Sequence, residues 1–130
     1  MTDSRFVIGI DGGGSTVRVA IVTPDLSIVA QAKSTTANPN VAGYDTATQT
    51  IQSAVMQALK SANLSANQID AVGIGIAGAE SQREGTWLAS VVRGVLPTSA
   101  IALSSDHEIA LTGAIGSPHG ILILAGTGSI

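Results

Sequence analysis

The sequence predicts an α/β fold in which a mixed sheet, made of an antiparallel three-strand meander and further parallel strands, is covered by helices. Three observations predict it. Short apolar or alternating runs near the N-terminus are separated by tight turns, as in antiparallel strands. Two long segments with helical spacing follow, and a short apolar run comes after each of them. Strands that alternate with helices are joined by crossovers and therefore run parallel.

The meander is predicted from three short runs of the chain. Its strands are Phe6 to Ile10, which is wholly apolar, Val17 to Val22, which alternates, and Ile28 to Ser34. The glycine-rich segment 11–15 separates the first two strands, and Pro24-Asp25 marks the next turn.

The rest of the chain alternates between helices and strands. Asn38 begins a loop, after which a helix is predicted from apolar residues at helical spacing, the first at Tyr44 and the last at Ala62. The following elements are a strand over Ala71–Ile76, a helix that opens with a Ser81–Glu84 capping box and ends near Val95, a strand over Ala100–Leu103, a short helix through Ala114, and a strand over Ile121–Leu124. No linker or repeat interrupts them, so residues 1–130 are predicted to form one domain.

The composition excludes several classes of protein. The chain has 130 residues, a net charge of -3, no basic run and three aromatic residues, so nucleic acid is not expected as a partner. The absence of cysteine from this sequence excludes disulfides and Cys-ligated clusters within it. The apolar run near the N-terminus is too short for a secretory signal or a membrane span, which predicts a soluble, cytoplasmic protein with no membrane partner.

The turn after the first predicted strand has the composition of an anion-binding loop. Asp11 is followed by three glycines, Gly12, Gly13 and Gly14, and by the hydroxyl residues Ser15 and Thr16. Glycines let backbone N–H groups approach an anion closely, and a carboxylate beside phosphates can hold Mg²⁺ directly or through water. The alternative is a tight hairpin in which Asp11 is only a turn residue.

Three further places combine strand ends with polar residues. Asp106 follows the predicted strand that ends at Leu103, and either a general base or a helix N-cap explains it. Gly126-Thr127-Gly128 is a second glycine and hydroxyl turn after a strand. Gly78 and Asn38 follow two other strands, where ordinary packing and turn chemistry also account for them.

Taken in order, these motifs resemble the actin-like ATPase and sugar-kinase superfamily. Within it the sequence is most similar to the N-acetylglucosamine kinase group, which shares a sequence family with BadF/BadG-type ATPases. The resemblance covers the whole chain, but only as the N-terminal lobe of such a protein. It implies a ribonuclease H-like sheet and a C-terminal, adenosine-binding lobe that is missing from residues 1–130. A chain that ends directly after a core-type strand and a glycine-rich turn fits a piece of a longer protein, which we expect to be inactive alone.

The resemblance also implies a role for each motif. Asp11 would place Mg²⁺, directly or through water, and Asp106 would act as the base on a sugar hydroxyl. The phosphates of ATP would be held by Gly12, Gly13, Gly14, Ser15, Thr16, Gly126, Thr127 and Gly128. The sugar would be bound by Asn38, Gly78, Asp106 and Thr127. Some members carry Ser where Ala77 stands, which leaves the identity of the sugar open.

The implied activity is phosphorylation of an amino sugar, of the N-acetylglucosamine or glucosamine type, with Mg-ATP. A homodimer is compatible with it. Two alternatives remain open at this point. One is a BadF-type ATPase that activates a dehydratase, which needs cysteines for a cluster that this stretch lacks. The other is a non-catalytic module that binds a sugar or a nucleotide.

Overall fold

The computed structural model of the chain describes residues 6–12, 15–25, 27–76 and 82–104. The strands are β1 Phe6–Gly12, β2 Val17–Val22, β3 Ile28–Ser34, β4 Ile69–Ile76 and β5 Ala100–Ser104. The helices are α1 Pro39–Ala42, α2 Tyr44–Ala62 and α3 Gln82–Val95, and a single 3-10 turn, Ala66–Gln68, precedes β4. The predicted helix through Ala114 and the strand Ile121–Leu124 lie outside the described residues.

The five strands form one mixed sheet in the order β3-β2-β1-β4-β5. β1 pairs antiparallel with β2, and β2 pairs antiparallel with β3. On its other side β1 pairs parallel with β4, which pairs parallel with β5. This confirms both the three-strand meander and the parallel half. It follows that β1, β3, β4 and β5 all point the same way, with their C-terminal ends at one edge of the sheet.

The hydrophobic core lies between one face of this sheet and the helices. α2 packs against β2 and β3, while α3 packs against α2 and β5. The apolar residues that predicted α2, among them Ile51, Val55 and Leu59, are buried in the same core cluster as Ile8 and Ile10 of β1. Burying a side chain of this size stabilises the fold by about 1.5–3 kcal/mol. Burial of the apolar faces of α2 and α3 in this core therefore fixes the positions of both helices on the sheet.

Three local features differ from the sequence predictions. β1 continues through Asp11 and Gly12, which were predicted as turn residues, because both pair with β2 and with β4. β4 begins at Ile69, two residues early, after the 3-10 turn. Within the predicted loop, residues Pro39–Ala42 form the single turn α1, because Asn38 caps it and Pro39 stands at its first position.

Tyr44 is the first of the apolar residues whose spacing predicted α2, but its side chain is 38% exposed and does not join the buried face. The cause is its position: it opens the helix, directly after Gly43, beyond the end of the sheet-facing stripe. Among the described helices, none combines the length and the apolar character that crossing a lipid bilayer requires.

Candidate functional site

The described residues of the predicted site gather at one edge of the sheet. Asp11 and Gly12 close the C-terminal end of β1, and Asn38 follows the C-terminal end of β3. β4 and β5 end at the same edge, at Ile76 and Ser104. In sheets with parallel strands, this edge is where ligands bind. The topology therefore brings the first glycine turn and Asn38 to the same side of the molecule.

Asp11 is half-buried beside a cation. Its Cα pairs with that of Arg18 on β2 and with that of Gly75 on β4. Because strand side chains alternate, Asp11 and Arg18 project from the face of the sheet opposite to the one that packs against the helices. Directly paired residues of antiparallel strands have Cβ atoms about 4.5–5.5 Å apart. On the β4 side its neighbour is Gly75, which has no side chain. The Asp11 carboxylate therefore has the Arg18 cation on one side and only the backbone of β4 on the other.

A second cation lies next to Arg18 on the neighbouring strand, in line with Asp11 and Arg18 across the sheet. Lys33 of β3 is the Cα partner of Arg18 and is exposed. Like charges placed side by side on neighbouring strands disfavour folding unless an anion is close to them. The row Asp11, Arg18, Lys33 carries a net charge of one positive unit near the ligand edge. A phosphate group has the charge that would offset this excess.

Gly12 is required by close packing between β1 and β4. A Cβ atom built on Gly12 would lie 2.6 Å from Cδ1 and 3.3 Å from Cγ2 of Ile76. Ile76 is fully buried, so its side chain has little room to move aside. The first glycine of the turn therefore serves the packing of the sheet, in addition to any role in ligand binding.

Gly12→Ala in the full-length protein is expected to lower the free energy of unfolding by about 1–3 kcal/mol, because the new methyl overlaps the Ile76 side chain. Ile76→Val removes Cδ1 and costs about 0.5–1.5 kcal/mol alone. The double variant should recover part of the Gly12→Ala loss. Urea unfolding of all four proteins measures this coupling. Gly94→Ala, whose new methyl would meet Gln52 instead, should be additive with Ile76→Val. Additivity in the Gly12 pair as well would contradict the packing argument.

The remaining described residues of the glycine turn are its two hydroxyl residues. Ser15 is exposed and Thr16 is half-buried, immediately before β2 begins at Val17. Both hydroxyl residues therefore stand at the ligand edge, next to Gly12 in the antiparallel pair. Gly13 and Gly14, which the sequence assigns to phosphate binding, lie outside the described residues.

Asn38 is the N-cap of the short helical turn α1. Its Oδ1 accepts a hydrogen bond of 2.8 Å from the backbone N–H of Asn40 and so caps α1. The backbone N–H of Asn38 donates to Oγ1 of Thr36 at 3.1 Å. These bonds fix the orientation of the amide group and employ its oxygen. Among the described residues nothing accepts from its Nδ2, so the cap and the predicted contact with a sugar hydroxyl are compatible.

Seven of the predicted site residues lie outside the described residues. They are Gly13 and Gly14 of the first turn, together with Gly78, Asp106, Gly126, Thr127 and Gly128. β5 ends at Ser104 at the ligand edge, two residues before Asp106 in the sequence. Their roles therefore remain predictions.

One cluster at this edge was not predicted. The Tyr44 hydroxyl donates to Oε2 of Glu84 at 2.6 Å, and the Trp87 ring N–H donates to Oγ1 of Thr48 at 2.9 Å. The rings of Tyr44 and Trp87 meet edge to face, with centroids 5.0 Å apart and planes at 87°. Glu84 was predicted to close a capping box with Ser81, which is outside the described residues. Helical spacing could not reveal a contact between residues 40 positions apart.

A concave surface between the helices lies elsewhere. A groove of about 1050 Å³ is lined by the C-terminal part of α2, the 3-10 turn and the end of α3, with Met56, Leu64 and Val95 as apolar members. Both helices run away from the ligand edge, so the groove is at the opposite end of the molecule. It takes no part in the candidate site.

Known proteins resemble the chain over almost its whole length. The sequence profile of the BadF/BadG/BcrA/BcrD ATPase family matches residues 8–130. An N-acetylmuramic acid/N-acetylglucosamine kinase of Clostridium acetobutylicum is 32% identical over 126 residues, which are 97% of this chain and 41% of that protein. The glucosamine kinase GspK of Vibrio cholerae is 32% identical over 125 residues, 96% of this chain and 42% of that protein.

The fold is found in solved structures as well. A provisionally assigned N-acetylglucosamine kinase from Chromobacterium violaceum superposes with a TM-score of 0.61 at 23% identity, over 88% of this chain and 40% of that one. This likeness shows the fold, and it confirms the predicted ribonuclease H-like mixed sheet. The chain spans about two fifths of the length of the curated relatives that it matches.

Proposed function

The chain belongs to the BadF/BadG/BcrA/BcrD ATPase family, and from this premise we propose that the protein containing it transfers the terminal phosphoryl group of ATP to a hydroxyl of an amino sugar. The observation that carries the proposal is the pair of curated relatives, each 32% identical across nearly the whole chain and each a kinase of an amino sugar. The chain would form one lobe of the enzyme, and the adenosine-binding lobe would be a separate part of the full-length protein.

The arrangement at the ligand edge supports an ATP-binding role. Backbone N–H groups of residues 12–16 would hold phosphate oxygens, with the Ser15 and Thr16 hydroxyls as further donors. The cationic residues Arg18 and Lys33 supply positive charge beside this turn. Gly126, Thr127 and Gly128 would complete the phosphate contacts from a second turn.

Asp11 fits the ligand chemistry of Mg²⁺. In phosphate-transferring sites Mg²⁺ is held by one or two carboxylates together with phosphates and water, instead of by a cage of protein ligands. Asp11 provides one half-buried carboxylate at the edge, and the described residues contain no cluster of three or more His, Cys, Asp or Glu side chains. Bound there, Mg²⁺ would offset the charge of the phosphates and of the carboxylate.

The chemical step would use Asp106 as its base. A sugar hydroxyl oxygen would attack the γ-phosphorus, its proton would pass to the Asp106 carboxylate, and ADP would leave. Asn38, Gly78 and Thr127 would orient the sugar. The amide nitrogen of Asn38 is suited to this task because the cap of α1 holds its oxygen in place. A cytoplasmic location and a homodimer stay predictions from the sequence.

A coupled assay of ADP release by the full-length protein tests the proposal. Glucosamine, N-acetylglucosamine, N-acetylmuramic acid and glucose are offered separately with Mg-ATP. We expect at least one amino sugar to raise ADP release well above the rate without sugar, and above the rate with glucose. ATP hydrolysis that no sugar accelerates, together with iron bound to the purified protein, would favour the dehydratase-activating ATPase instead.

A further inference from the structure

Four side chains join the first two turns of α2 to the first two turns of α3 at the ligand edge. We call Tyr44, Thr48, Glu84 and Trp87 the interhelical latch. Two of its hydrogen bonds cross between the helices, at 2.6 Å and 2.9 Å, and the edge-to-face ring contact lies between them. The bond to Glu84 has a carboxylate acceptor, which makes it stronger than a bond between neutral groups. The latch therefore holds the start of α2 in one orientation relative to α3.

The interhelical latch lies next to the short segment of chain that connects α2 to Asn38. Tyr44 follows Gly43, which adopts φ 84° and separates α2 from the capped turn α1. Within α1 the backbone N–H groups of Val41 and Ala42 donate to the carbonyl of Asn38 at 3.0 Å, so the turn moves as a unit with Asn38. Gly43 connects that unit to the helix: its N–H donates to the carbonyl of Pro39 at 3.0 Å, and its own carbonyl accepts from the N–H of Ala47 at 2.9 Å. Fixing Tyr44 on Glu84 limits the angles available at this connection.

We propose that Tyr44 is a positioning residue for the acceptor sugar, which acts through Glu84 and the latch to hold Asn38 in its binding orientation. This inference rests on the proposed function, because the contact between Asn38 and the sugar belongs to that proposal. Tyr44 itself touches neither substrate in this account. Its effect is on the binding of the sugar and leaves the binding of ATP unchanged.

The two helices provide a matched control. Gln52 Nε2 donates to the carbonyl oxygen of Val91 at 3.1 Å and links the same pair of helices. Gln52 is eight residues beyond Tyr44, which places it about 12 Å further along α2 and away from the ligand edge. Losing this bond loosens the helix pair without touching the connection at Gly43. A purely structural role for the latch would make the two sites equivalent.

The test compares Tyr44→Phe with Gln52→Ala in the full-length protein. Tyr44→Phe keeps the ring contact and removes the hydroxyl, and we expect the KM for the amino sugar to rise about 3–10-fold, with the KM for ATP unchanged. Glu84→Gln retains an acceptor oxygen, so it should fall between the wild type and Glu84→Ala. Gln52→Ala should lower the melting temperature and leave both KM values unchanged. Equal shifts in Tyr44→Phe and Gln52→Ala, or no shift in either, would overturn the proposal.

A second measurement does not depend on catalysis. Hydrogen exchange of the backbone amides of residues 41–43 should speed up in Tyr44→Phe and stay at the wild-type rate in Gln52→Ala. If the wild-type protein phosphorylates no amino sugar, the proposed function fails, while the exchange rates still decide whether the latch controls the turn. Unchanged exchange in Tyr44→Phe would reject the latch even in an active kinase.

Discussion

Asp106→Asn in the full-length protein is expected to lower kcat by about 10²–10⁴-fold, the contribution typical of a positioned general base. The amide oxygen of asparagine cannot take up the proton of the sugar hydroxyl at neutral pH, although the side chain has nearly the same shape. The sugar and ATP should still bind, so their KM values should change much less than kcat. Steady-state kinetics with the best amino sugar measures the effect.

This substitution also separates the two explanations of Asp106. Asparagine and aspartate are about equally good helix N-caps. If Asp106 only caps the helix predicted to follow β5, the asparagine variant should keep both its stability and its activity. A normal kcat would therefore reject the role of base and favour the cap. A protein that melts far below the wild type would show that the residue is needed by the fold.

Asp25→Asn is the matched control for the chemical change. Asp25 lies in the turn between β2 and β3, at the edge of the sheet opposite to Asp11. Hydrogen bonds from the Thr23 hydroxyl and from Ser27 hold the pKa of Asp25 below its ordinary value. It is exposed and charged, and it is remote from the ligand edge. Its asparagine variant should keep kcat within a factor of about two, as surface substitutions usually do.

The sheet and the long helices could be predicted because each carries its own periodicity. Apolar side chains recur with helical spacing between residues 44 and 62, and these residues form α2. Residues 17–22 alternate, and they form β2. The end of β1 was harder, because Asp11 and Gly12 have turn-like side chains. Their partners on β2 and β4 keep them extended, and those on β4, Gly75 and Ile76, come from a distant part of the chain.

The motifs of the site could be predicted from the sequence, but the contacts that hold its residues in place could not. The sequence does contain the signals of α1, an Asn N-cap followed by Pro39, but its four residues are too few for a periodic pattern. The bond between Tyr44 and Glu84 depends on how α2 and α3 lie against each other, and local spacing does not encode that. The clash that a side chain at position 12 would cause with Ile76 depends in the same way on the pairing of β1 with β4.

Asp11→Ala is expected to raise the Mg²⁺ concentration that gives half-maximal activity by about 10–100-fold, as the loss of a residue that directly or indirectly supports a metal usually does. The titration is made at a fixed, saturating concentration of ATP. Asp45→Ala is the control, because Asp45 is an exposed carboxylate in the first turn of α2, near the same edge. Equal shifts in both variants would show that the effect is general electrostatics.

Asp11→Ala should have the opposite effect on the affinity for ATP when no metal is present. In the wild type the Asp11 carboxylate repels the phosphates when no cation stands between them. Asp11→Ala removes that repulsion and leaves Arg18, the cross-strand neighbour, as the nearer charge. Metal-free ATP should therefore bind more tightly to the variant, while its Mg²⁺-dependent turnover falls. Calorimetry in the presence of a chelator measures this. A variant that loses both properties would have lost the shape of the turn, and the metal role would then have no support.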